Sequence, residues 1–153
     1  MASNDLIARL RDSGWPMTSQ RRVVAEVLSG DHVHLSADEV HRLALLRLPE
    51  ISRATVYKAL GELVALGEVR EVSVGGRAKL YDPNHDATHQ HLVCDECGVT
   101  RDVQAPSGGA LRPAKSDLGG FTLTGVEIVF RGLCPKCAKS QSATTGRTRR
   151  NTA

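Results

Sequence analysis

Aromatic side chains are scarce in this chain: of 153 residues, two are Phe, two Tyr and one Trp. Ring contacts therefore cannot carry a core, and packing must rest on Leu, Val and Ala, with a structural metal or a second subunit as reinforcement. Long apolar runs are missing as well. The opening segment, Met1 to Leu10, has neither the basic start nor the apolar stretch of a secretory signal, and no run reaches membrane-spanning length. A cytoplasmic protein with no membrane partner is expected, and a reducing cytosol disfavours structural disulfides. A dominant charge is also absent. The net charge is +3, but removing the five basic residues from Lys136 onward leaves a slight acidic excess, so bulk charge does not mark a nucleic-acid binder. The segment after Cys137, rich in Ser, Thr, Gly, Lys and Arg, reads as a disordered, solubilising tail over 138–153.

The few cysteines are arranged in pairs. Cys94/Cys97 and Cys134/Cys137 are two CxxC units that account for every thiol, and a tight turn lets each pair grip one metal. Soft sulfur donors suit one tetrahedral Zn²⁺. Four thiolates close its coordination sphere and leave no place for an activated water, so a zinc enzyme is not expected. The deaminase pattern also needs a His-x-Glu ahead of Pro-Cys-x-x-Cys, and that is missing. A redox dithiol is the competing reading of CxxC. Cys97 and Cys134 are far apart in the chain, so the zinc should tie the start of a second domain to its end, pinning a sheet whose last strand is suggested by Val126, Ile128 and Phe130. His89 and His91, two residues apart, share a face if they lie on a strand.

The first half carries helix signals. Leu6, Ile7 and Leu10 form a short stripe that stops near Gly14 and Pro16. Thr18 can cap a helix holding Val23, Val24, Val27 and Leu28, whose polar start at Gln20 and Arg21 can meet phosphate. Ser36 to Glu39 is a capping box opening a third helix that buries Val40, Leu43, Ala44 and Leu46 or Leu48 before Pro49. Ser52 caps a fourth helix to Leu66, with Leu60, Leu63, Val64 and Leu66 inward, Gly67 as its stop, and Arg53, Thr55, Tyr57 and Lys58 exposed on its first turns. The segments from Val69 to Val74 and Arg77 to Tyr81 flank Gly75-Gly76, a two-residue hairpin turn. Helices followed by a hairpin make a winged helix-turn-helix, which places its last helix in the major groove. An all-helical interaction module with an incidental hairpin fits the same pattern.

Met17-Thr18-Ser19-Gln20-Arg21, Ser52-Arg53-Ala54-Thr55-Val56-Tyr57-Lys58-Ala59-Leu60, Tyr81-Asp82, His89-Gln90-His91, Cys94-Asp95-Glu96-Cys97-Gly98 and Cys134-Pro135-Lys136-Cys137 together resemble the ferric-uptake-regulator family, over about Leu6 to Cys137. The resemblance implies an α+β protein: a winged-helix DNA-binding domain over 1–82, then a small α/β dimerisation domain over 83–137 with a structural zinc site. It implies a homodimeric repressor of palindromic double-stranded operator DNA, with Tyr57 and Arg53 as the leading base and phosphate contacts. It matches His34, Asp82, His89, His91 and Asp102 to a regulatory site, a set of nitrogen and oxygen donors that suits Fe²⁺ or Mn²⁺. By that resemblance one ion, held by both domains, sets their angle and hence DNA affinity.

The pattern departs from the family at Pro16 and Ser19, where many members carry a basic residue and proline. Gly108, Gly109 and Pro113 also interrupt the region of the dimerisation-domain helix, which should be short or start late. His32, His41 and His85 read as exposed bystanders, with His85 open as a replacement ligand. Asp102 is similar to the aspartate of peroxide-responsive members, where iron-uptake regulators more often have glutamate. The resemblance thus implies a peroxide sensor working through Fe-catalysed oxidation of His34 or His89, with Mn²⁺ as an inert substitute. An iron or other metal uptake repressor is the alternative, and a zinc-stabilised protein-interaction module with no DNA role is the reading from another class.

Overall fold

Side-chain caps open every helix of the first half. In a computed structural model describing residues 5–30, 32–73, 76–84, 89–104, 111–124 and 126–145, Asp5 accepts from the Ile7 and Ala8 amides to start α1 (Leu6–Asp12). Thr18 accepts from Arg21 to start α2 (Ser19–Leu28). Ser36 and Glu39 form a complete capping box on α3 (Ala37–Leu45), and Ser52 accepts from Thr55 to start α4 (Arg53–Ala65). Each cap satisfies an amide that has no partner within its helix. Replacing Ser36 with alanine should therefore cost about 1 kcal/mol, read as a thermal midpoint lower by about 4–8 °C for a domain of this size; an unchanged midpoint would remove the cap from the account.

The chain divides into two units, Met1–Ala87 and Thr88–Ala153. In the first, Leu6, Leu10, Val24, Leu28, Val40, Val56, Leu60 and Leu63 are fully buried in one cluster with Trp15 and Tyr81. One expected core position is corrected: Leu66 is 48% exposed because it is the C-cap of α4, where the chain turns away through Gly67 at φ 74°. Of the alternatives Leu46 and Leu48, Leu48 packs against the cluster, while Leu46 is 79% exposed because α3 has already ended; Val56 and Ala59 complete the core. A small antiparallel sheet closes the unit. Its strands are β1 (Leu35–Ser36), β2 (Arg70–Val72) and β3 (Leu80–Asp82), in the order β1-β3-β2. Val72 pairs with Leu80, and Gly76 in the connection has φ 73°. The expected two-residue Gly75-Gly76 turn includes Gly75, which with Val74 lies outside the described residues.

The second unit is a sheet of β4 (His89–Cys94), β5 (Thr100–Gln104) and β6 (Val129–Gly132), ordered β5-β4-β6, with β5 antiparallel and β6 parallel to β4. The last strand starts later than expected, leaving Val126 54% exposed outside it. Where a short or late helix was expected there is one 3-10 turn, Lys115–Leu118, ended by Gly119 at φ 51°; Gly108 and Gly109 lie outside the described residues. The disordered tail is corrected over its first part. Pro135 to Thr145 form a helix, α5 (Pro135–Thr145). Proline suits the first helical position because no donor is needed there, the Ala138 amide donates to the Cys134 carbonyl, and Gln141 Nε2 donates to Glu96 at 3.0 Å. Composition alone misread this segment, because the CxxC turn nucleates a helix that Ser and Lys residues can then follow. Residues 146–153 lie outside the described residues. Among the described residues of this unit, the buried hydrophobic side chains are Val93 and Cys94.

Candidate metal centres and nucleic-acid surface

Cys94 ends β4, and the chain folds back at once. Gly98, at φ 76°, donates its amide to the Cys94 carbonyl at 2.9 Å, while the Cys94 amide donates to Val99 at 3.0 Å. The parallel register pairs Cys94 with Gly132, which delivers the second CxxC from the neighbouring strand end. The Cys134 amide then donates to Cys94 Sγ at 3.3 Å, and the sulfurs of Cys97 and Cys134 stand 3.8 Å apart. All four sulfurs lie within 4.8 Å of one another. Arg131, 2.7 Å from Asp95, ties β6 to this turn.

The thiols differ in acidity. Amide donation, from Cys134 first and then Cys97, holds Cys94 down at about 6, and the Cys137 amide lowers Cys134. Cys137 is pushed up to about 12, chiefly by its hydrogen bond with the Cys134 sulfur. Thiolates packed together resist full ionisation unless a cation shares them. The set fits a closed, four-sulfur zinc site.

The histidine cluster of the second unit follows from strand alternation. His89 and His91 are buried on one side of β4 while Leu92 is exposed on the other. Asp102 on β5 is directly opposite His91, and its Oδ1 lies 3.7 Å from His89 Nε2 and 3.8 Å from His91 Nε2. The two rings meet edge to face, centroids 4.9 Å apart. These separations exceed a hydrogen bond; they suit donors gathered around one ion.

A second pair forms within the first unit. Leu35 pairs with Tyr81 and Ser36 with Leu80, so continuing the register places His34 opposite Asp82. Their Nε2 and Oδ2 atoms are 3.7 Å apart, with both side chains about as buried as core residues at 2% and 1% exposure. Asp82 is fixed from behind: its Oδ1 accepts the Asn84 amide at 2.8 Å, and Arg9 holds Pro83 O at 3.0 Å and Glu68 at 2.8 Å. His34 Nδ1 donates to the His32 carbonyl at 3.3 Å, leaving Nε2 toward Asp82.

His32 is exposed, as expected; its backbone, at φ 56°, turns the carbonyl toward His34, a left-handed conformation that a non-glycine residue rarely adopts. His41 is corrected: it is half-buried, and its Nε2 donates to the Ile51 carbonyl at 3.1 Å. His85 lies outside the described residues. Arg9, Asn84 and His32 escaped the sequence reading because their contacts, Arg9 with Glu68 and Pro83 O, Asn84 with Asp82 and His32 O with His34, are made by long-range packing and short turns that carry no periodicity.

Gln20, Arg53, Tyr57 and Lys58 are exposed and Thr55 is half-exposed. Thr18, Gln20, Thr55 and Lys58 line one cleft between the starts of α2 and α4. Arg53 is 3.0 Å from Asp38, an exposed pair that is readily exchanged. Arg21 lines the same cleft and is half-exposed. Its Nη2 stands 2.7 Å from Glu62, its guanidinium lies 5.2 Å from the Trp15 ring centre, and it holds the Glu62 carboxyl below the usual range.

Residues 12–131 match the model of the ferric uptake regulator family. The chain is 33% identical over 139 residues to the transcriptional regulator FurA of Mycobacterium tuberculosis, covering 91% of this chain and 94% of that protein. It is 30% identical over 131 residues to the peroxide-responsive repressor PerR of Staphylococcus aureus, covering 86% and 88%. Among solved structures, it is similar to the Campylobacter jejuni peroxide stress regulator, with 27% identity, a TM-score of 0.59, and coverage of 86% of this chain and 98% of that one.

Proposed function

Since this chain belongs to the ferric uptake regulator family, and so is a metal-responsive transcriptional regulator, we propose that it represses transcription as a homodimer on palindromic operator DNA and senses peroxide. The reading is carried by one observation: the second unit holds an all-sulfur set at the end of β4 and a nitrogen-oxygen set on its buried face. Soft and hard donors segregated in this way suit two metals with different tasks. Cys94, Cys97, Cys134 and Cys137 hold Zn²⁺ and hold the unit together. His89, His91 and Asp102, joined by His34 and Asp82, hold Fe²⁺ or Mn²⁺ and set the angle between the units. A preference of ~3 kcal/mol for the bound arrangement moves the population by more than a hundredfold.

DNA is met by Gln20, Arg53, Thr55, Tyr57 and Lys58, with Tyr57 toward base edges and Arg53 exchanging Asp38 for phosphate. Arg21, in the cleft it shares with Gln20, Thr55 and Lys58, joins them while bracing α4 through Glu62. The exposed Phe121, Phe130, Leu123 and Leu92 of the second unit supply apolar surface for the dimer. No described helix is long and apolar enough to cross a membrane, and a repressor of this kind works in the cytoplasm.

Bound Fe²⁺ would supply the reduction of peroxide that adds oxygen to a nearby imidazole, a chemistry Mn²⁺ does not share. His34 and His89 are the acceptors we assign, and the short Asp102 side chain leaves room beside them. In gel shifts on the gene's own upstream region, apo protein should not bind. Mn²⁺ protein should bind with or without peroxide, and Fe²⁺ protein only without it. Mass spectrometry of the released protein should place one added oxygen on a peptide containing His34 or His89. Fe²⁺ protein that stays bound after peroxide would leave a metal-uptake repressor as the function.

A further inference from the structure

We infer that His41 is a positioning residue for DNA recognition: it clamps the entry of α4, setting the place from which Arg53, Thr55, Tyr57 and Lys58 meet DNA. This rests on the repressor reading above. The argument begins with the backbone. The first carbonyl that α4 uses is that of its N-cap, since the Val56 amide bonds Ser52 O at 3.2 Å. The carbonyl one residue earlier, on Ile51, precedes the helix and has no place in its ladder. Ile51 is 2% exposed and its amide is already spent on Leu48 O at 3.0 Å. A buried peptide carbonyl needs a donor, and His41 Nε2 meets it at 3.1 Å across a half-buried contact. A carbonyl only accepts, so Nε2 carries the proton.

The clamp joins the two helices of the helix-turn-helix at their one covalent connection. His41 lies on α3, three residues after Asp38 and therefore on the same helical face, and Asp38 meets Arg53 at 3.0 Å. The stripe made by Asp38 and His41 thus meets the start of α4 twice. The Asp38 contact is exposed and gives way to solvent or phosphate; the His41 contact is sheltered and remains. Residues in the first turns of a recognition helix read base edges, and their aim depends on where Ser52 begins that helix.

The test uses the full-length, Mn²⁺-loaded protein with its zinc in place, a duplex selected by the wild-type protein from a random pool, and a scrambled duplex of equal length, at one salt concentration. His41→Leu should weaken binding to the selected duplex by on the order of tenfold, the scale of one misread base pair, while binding to the scrambled duplex holds. His41→Gln, whose amide nitrogen sits near the position of Nε2, should recover most of the loss. Equal weakening on both duplexes, or no weakening, overturns the clamp and assigns His41 to stability alone. A wild-type protein that selects no duplex overturns the repressor reading and the clamp with it. Independently of any variant, imidazole nitrogen shifts in the wild-type protein should report the Nε2–H form of His41, and an Nδ1–H form overturns the inference.

Discussion

Cys94→Ser is expected to empty the zinc site and unfold the second unit while the helices of the first unit stay in place. The two units differ in what holds them. The first has a continuous buried cluster, from Leu6 and Leu10 through Val24, Leu28, Val40, Val56, Leu60 and Leu63, and helices with side-chain caps. The second has Val93 and Cys94 as its buried hydrophobic side chains among the described residues, too little apolar burial to offset the ordering of a three-stranded sheet. Metal-coupled folding in small zinc domains is worth roughly 10 kcal/mol or more, and Cys94 is the ligand most firmly placed to deliver it. It belongs to β4, its sulfur accepts the Cys134 amide, and that donation keeps its thiol acidic at about 6. Serine offers an oxygen of similar placement that stays protonated at neutral pH and supplies no anionic ligand. Metal analysis should show zinc lost, amide spectra should show the β4 to β6 resonances collapsing while those of α1 to α4 persist, and the dimer should dissociate. Dispersed β4 to β6 resonances in a zinc-depleted variant would mean that the sheet stands without its metal.

The same contrast explains what could be read in advance. Caps are local chemistry, so Thr18, Ser36 and Ser52 announced their helices within a few residues of sequence, and the CxxC spacing announced its turn. β1 was invisible because two residues carry no period, yet its register is what sets His34 against Asp82. Lone histidines were hardest. Nothing near His41 in sequence marks Ile51 as a carbonyl in need of a donor, and the function of the imidazole is set ten residues away. Helix α5 was lost to composition, which sees Ser and Lys but not the CxxC turn from which the helix grows.

Asp102→Asn and Asp82→Asn are expected each to raise the Mn²⁺ concentration needed for DNA binding by at least about a hundredfold, and the double variant is expected to be little worse than either. Both substitutions keep shape and remove one negative charge. Asparagine at position 82 can still accept the Asn84 amide, and asparagine at 102 still stands between His89 and His91, so the loss is of charge at the ion rather than of local fold. Zinc content should not change, because strand alternation puts His89 and His91 on the side of β4 opposite Leu92, and Cys94 lies at the strand's end among the sulfurs. The double variant decides whether the donors of the two units serve one ion. Independent ions would make the two penalties add to within about 0.5 kcal/mol, whereas a shared ion, once lost, cannot be lost again, and the cycle should then depart from additivity by 1 kcal/mol or more. Titration should agree, with one Mn²⁺ per chain in the wild type and none in either variant over the same range. Additive penalties, or a wild-type chain that takes up two Mn²⁺ of which each variant loses one, would separate His34 and Asp82 from the cluster on β4 and β5.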